Sequence, residues 1–209
     1  MNRAVRAAVG GSLVHVGVRG RLRGGGGSRI HPQRRRLLWL NGLGGTAVLA
    51  SYALGLGSDA LTGAALWGGV PESVRPLYTA NMLLAALGYF LFTRYIVFRL
   101  PPDGTRIGSL FGFGLFGWLY ALVLVPSALW LPLTAHLLAH PSAAAWWAVR
   151  TVLALVALGS SGLLASLAAM PSDAPRGRAL ASVGLLPFWL QTAVLDALVW
   201  PAYFPFPTH

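Results

Sequence analysis

Five runs of largely apolar residues, at about 37–57, 76–99, 108–132, 145–169 and 179–203, constrain this chain more than any other feature it has. A helix needs about 20 such residues to cross the hydrocarbon layer of a membrane, and each run is that long. The breaks between them are sharp. "RRR" precedes the first run, "PESVRP" precedes the second, and "RLPPDGTR" separates the second from the third. "AHPS" and "MPSDAPRGR" close the third and fourth. Proline removes a helix donor and Asp-Gly favours a turn, so none of these breaks continues a helix. Backbone groups in lipid must be satisfied internally, which makes helices the only plausible form for the runs. The expected fold is an all-α, five-span membrane bundle of residues 37–203, with an arm at 1–36 and a short tail at 204–209.

The composition agrees with a membrane protein: 56% of residues are hydrophobic and 10% are charged, against roughly a quarter charged in a soluble domain. Cysteine is absent, which excludes disulfides, thiolate nucleophiles and cysteine-ligated metals. All sixteen basic residues are arginine, and nine of them fall in the first 36 residues, where there is no acid. That arm is expected to be disordered and to lie against anionic lipid headgroups. A processed organellar transit peptide is the alternative, and nucleic-acid binding is not expected.

Cytoplasmic loops of membrane proteins are enriched in arginine. With the N-terminus inside, fourteen of the sixteen arginines lie on the inner side, leaving Arg75 and Arg150 on the outer half. The expected threading is therefore N-in and C-out, with a bacterial inner membrane favoured over an organellar one. Trp67, Trp130, Trp146, Trp147, Trp200 and Tyr203 then fall near the outer interface and Trp39 near the inner one, as an aromatic belt requires.

Small residues at four-residue spacing let helices approach closely in lipid. Gly108 and Gly112, with Gly114 and Gly117 nearby, suggest one such face, and Gly162 with Ser166 another. A partner membrane protein could pack on these faces. Pro126 and Pro187 are expected to kink the third and fifth helices.

Few residues offer chemistry. "LQTAVLDALVW" places Asp196 about 10 Å below the outer end of the fifth span, and Arg150 lies at similar depth on the fourth. Asn81 and Tyr52 are each about five residues from the outer ends of their spans, and Gln191 precedes Asp196 by five. Ionisable residues inside a span are costly and usually face the bundle interior or a cavity. Asp196, Arg150, Asn81, Tyr52 and Gln191 are therefore the candidate ligand-binding set, with an ion pair expected between Asp196 and Arg150. The alternative is a purely structural pair fixing the fourth and fifth helices. The outer loop before Arg75, with its apolar stretch ending at Trp67, could cover this cluster. His136 and His140, one helical turn apart, are a weak candidate for a metal or haem, because no third ligand lies near them. No other cofactor is expected. No Walker loop, GxSxG elbow or dinucleotide fingerprint is present.

The leading expectation is a non-enzymatic bundle that binds or passes a small ligand through a polar pocket in its outer half. An accessory subunit of a membrane complex is the second possibility. An intramembrane enzyme using Asp196 is the third.

Overall fold

The computed structural model describes residues 30–56, 63–171 and 175–204. Most of the arginine arm, part of the loop before Arg75 and all but the first residue of the expected C-terminal tail lie outside the described residues. Helix α1 runs Pro32–Leu56, α2 Gly63–Trp67, α3 Arg75–Phe98, α4 Gly114–Ala139, α5 Ala143–Ala168 and α6 Arg178–Trp189. A π-helical stretch, Leu190–Val199, continues α6 and passes into α7, Trp200–Tyr203. Five of the resulting helices are long and apolar enough to cross a membrane: Pro32–Gly55, Arg75–Phe98, Gly114–Ala139, Ala143–Ala168 and Arg178–Tyr203. The chain is a multi-pass membrane protein.

The first and third spans differ from expectation. Helix α1 takes up Arg34, Arg35 and Arg36. Arg34 donates to the carbonyl of Leu100 at 3.0 Å, and neighbouring His31 meets Asp103 at 3.1 Å, which fixes the helix start. The third span begins at Gly114, not near residue 108, because Arg106–Ile107 and Phe111–Gly112 pair as a small antiparallel hairpin. Gly108 turns it with φ +58°, a conformation that excludes a helix and that glycine adopts without steric cost. The span then extends to Ala139 through both Pro126 and Pro132. Gly108 and Gly112 therefore form no helix-packing face, and nothing lies within 4 Å of a Cβ built at Gly117.

Other glycines bring the helices together. A Cβ on Gly88 would collide with the carbonyl oxygen of Gly184, and one on Gly184 would lie 3.2 Å from that of Gly88. This crossing joins α3 to α6. At the α4–α5 crossing a Cβ on Gly159 would meet Val123 at 2.8 Å and the Leu119 carbonyl at 3.0 Å. Gly162, in the expected Gly162–Ser166 pattern, does pack on Leu119. Gly44 admits Leu124 against α1, where a Cβ would lie 2.9 Å away.

Two apolar cores result, one toward each end. The first gathers Leu37, Phe92, Ile96, Leu100, Phe116, Tyr120 and Leu163. The second gathers Val70, Tyr78, Leu137, Trp146, Val149, Trp200 and Phe204. Trp146 and Trp200 are thus core residues, 7% and 4% exposed, whereas Trp147 is 62% exposed. Helix α2 closes this second core. Trp67 packs edge-on against Tyr78 at 5.5 Å, and the Trp200 indole donates to the Leu66 carbonyl at 2.8 Å.

Candidate functional site

Asp196 belongs to the π-helical stretch, and that winding determines its neighbours. Pro187 has no N–H, so the α-helical ladder is interrupted one turn before the stretch begins. The N–H of Leu190 still bonds four and three residues back, to Leu186 and Pro187, whereas by the end of the stretch the N–H of Trp200 reaches back five residues to Leu195. Such i→i+5 bonding widens the turn and brings residues five apart over one another. Gln191 and Asp196, on divergent sides of an α-helix, are therefore adjacent. The Gln191 amide donates to Asp196 Oδ1 at 2.8 Å.

Helix α3 supports the stretch with two side chains on one face, three residues apart. Asn81 donates through Nδ2 to the Pro187 carbonyl at 3.1 Å and to Gln191 Oε1 at 3.0 Å. The Tyr78 hydroxyl donates to the Leu195 carbonyl and lies 3.4 Å from Asp196 Oδ1. Carbonyls near both ends of the stretch thus receive side-chain donors from α3. Asn81 and Gln191 are buried, so leaving their amides unpaired would cost about 1–3 kcal/mol each. Tyr52 lies against Trp130, the rings tilted and their centroids 6.0 Å apart. The structure therefore brings Asp196, Gln191 and Asn81 together, adds Tyr78, and sets Tyr52 against Trp130. Tyr78 had one signal in the sequence: its i,i+3 spacing from Asn81.

The expected ion pair between Asp196 and Arg150 is not formed. Among the described residues the ion pairs are His31 with Asp103 at 3.1 Å and Arg75 with Glu72 at 3.5 Å. Arg150 points instead to aromatic faces, its guanidinium carbon 5.9 Å from the Trp146 ring centre and 5.6 Å from that of Trp147. Equal depth was the basis for the pair. Depth, however, does not fix direction around a helix axis, and the π-helical winding turns Asp196 toward α3.

Arg150 stands beside an open groove of about 550 Å³ between α5 and the π-helical stretch. Ala154, Ala157, Leu158 and Ser161 line one wall, and Ala193, Ala197 and Leu198 the other. At one end two polar bonds bind the walls together, Trp189 Nε1 to Ser161 Oγ at 2.9 Å and Thr192 Oγ1 to Ser160 Oγ at 2.8 Å. The polar cluster thus holds in place the element that forms one wall of the groove. A second hollow, about 330 Å³, lies among Ala64, Ala65, Gly68, Leu137, Leu138, Pro141 and Phe204.

His136 and His140 stack on one another with centroids 5.1 Å apart, and both are exposed. Among the described residues no group of three or more histidines and carboxylates is placed to hold a metal ion.

No family model, curated protein or solved structure matches this chain.

Proposed function

We propose that this protein is a non-enzymatic, N-in and C-out bundle of a bacterial inner membrane that binds a small ligand in its outer half, in the groove beside Arg150. The observation that carries this reading is an arginine within a membrane span that has no acid partner among the described residues and stands at a groove large enough for a ligand. Ligand sites commonly measure about 300–1,000 Å³ and combine apolar walls with a few polar groups. The groove has this character: Arg150, Thr151 and Ser161 among alanines and leucines. Asp196, Gln191, Asn81 and Tyr78 act as positioning residues that maintain the π-helical wall.

Purification of the full chain in a mild detergent, followed by native mass spectrometry, tests the reading. A retained low-mass species is expected, and it should be lost from the groove-filling variant Ala154→Leu. Co-purification of another membrane chain with no retained small molecule would support the accessory-subunit alternative instead.

The orientation is testable separately, because the chain has no cysteine of its own. A single cysteine at Glu72 should react with a membrane-impermeant maleimide applied to intact cells, and one at Gly104 should react only after lysis. The opposite pattern would reverse the threading.

A further inference from the structure

The groove runs along α5 from Arg150 to Ser161, eleven residues, or about 16 Å at 1.5 Å per residue. One leaflet contributes about half of a 30 Å hydrocarbon layer; the groove has about that length, but it starts at Arg150 and ends at Ser161, past the middle of α5. Its walls are mostly alanine and leucine, and Trp147, Leu158 and Leu198 along it are exposed. Arg150 lies seven residues inside α5 from Ala143, hence about 10 Å below that helix end. A cation at this depth requires compensation. Trp146 and Trp147 supply part of it through their ring faces, at distances where cation–π attraction operates. The planar fork of guanidinium donors remains suited to a phosphate, which it can hold through paired hydrogen bonds.

We infer that the groove holds one anionic phospholipid of the outer leaflet, with its phosphate on Arg150 and one acyl chain lying between α5 and the π-helical stretch. This inference rests on the groove being the ligand site and names the class of ligand. A second copy of the chain is a poorer occupant. Two copies share one membrane orientation, so a two-fold contact through this surface would set Arg150 against Arg150 at equal depth. No described acid is paired with either, and like charges there repel.

The test uses the full chain in nanodiscs containing phosphatidylglycerol or phosphatidylcholine with identical photoreactive acyl chains, followed by peptide mapping of the cross-links. Mapping separates this groove from the arginine-rich opposite end of the bundle, which also attracts anionic lipid. The expected result is labelling at 154–161 and 193–198, with roughly tenfold preference for phosphatidylglycerol, because both lipids offer a phosphate but phosphatidylcholine also brings a trimethylammonium, a like charge, beside Arg150. Arg150→Gln should erase the preference, and Ala154→Leu should remove labelling of the groove by both lipids. Equal labelling by the two lipids, an unchanged preference in Arg150→Gln, or displacement by millimolar inorganic phosphate would each overturn the proposal. A retained molecule that is not a lipid, lost in Ala154→Leu, would overturn it while leaving the groove as the ligand site. Absence of any occupant in wild-type protein would remove both.

Discussion

Gly88→Val should abolish accumulation of folded protein, or lower its unfolding midpoint further than any other single substitution considered for this chain. The α3–α6 crossing has no room for even one methyl group: a Cβ at Gly88 would collide with the Gly184 carbonyl oxygen, part of the facing helix backbone. A side chain can rotate away from a clash, but a helix backbone can only be pushed back as a unit. Inserting bulk into a packed core costs typically about 1–3 kcal/mol and occasionally more, and this site belongs at or above the top of that range. The expected order is Gly88→Val worse than Gly88→Ala, with Gly117→Ala near neutral because nothing lies within 4 Å of its Cβ position. Denaturant unfolding in mixed micelles measures the series. Equal stability of Gly88→Ala and Gly117→Ala would show that the crossing is looser than described.

The contrast between these glycines also shows what could be recognised in the sequence. Five spans were legible because long apolar runs ended in proline, Asp-Gly or arginine, each with a direct effect on helix continuation. The displaced start of α4 was not. "GSLFGFG" is apolar and satisfies a hydropathy criterion, but Gly108 adopts a positive φ and a hairpin forms in its place. A count of closely spaced glycines favoured that hairpin over the contacts that matter, Gly88 with Gly184 and Gly159 with Leu119. Gly88 and Gly184 are single glycines in different spans that only the packed helices bring together, whereas Gly159 stands three residues before Gly162 on the face that was expected.

The candidate site was legible in depth and not in direction. Rise per residue placed Asp196, Arg150, Asn81 and Tyr52 at one level, and the network through Asn81, Gln191 and Asp196 is formed. Direction around the axis depends on the winding of the fifth span, which is π-helical over Leu190–Val199 rather than α-helical. Pro187 before the stretch and Pro201 after it were visible, as was the five-residue spacing of the polar pair. None of these by itself specifies a π-helical winding. Such stretches are rare and often occur at functional sites, consistent with this one forming a wall of the groove.

Asp196→Leu should destabilise the protein through Gln191 and leave the contribution of Arg150 unchanged. Removing the carboxylate strands the Gln191 amide, which is buried and donates to Asp196 at 2.8 Å. An unsatisfied buried donor costs about 1–3 kcal/mol, and loss of the i,i+5 contact also weakens the π-helical winding. Asp196→Asn should be milder, because its amide oxygen can still accept from Gln191. Residues in one hydrogen-bonded network couple by about 0.5–3 kcal/mol, whereas independent sites add to within about 0.5 kcal/mol. A double-mutant cycle of Asp196→Leu with Gln191→Leu should therefore show strong coupling, the pair together costing less than the sum of the two. The same cycle with Arg150→Gln should be additive, since Arg150 contacts Trp146 and Trp147 and forms no ion pair with the carboxylate. Coupling to Arg150 as large as coupling to Gln191 would mean that the two charges meet across α5 after all, and that the π-helical stretch is wound differently from the arrangement described.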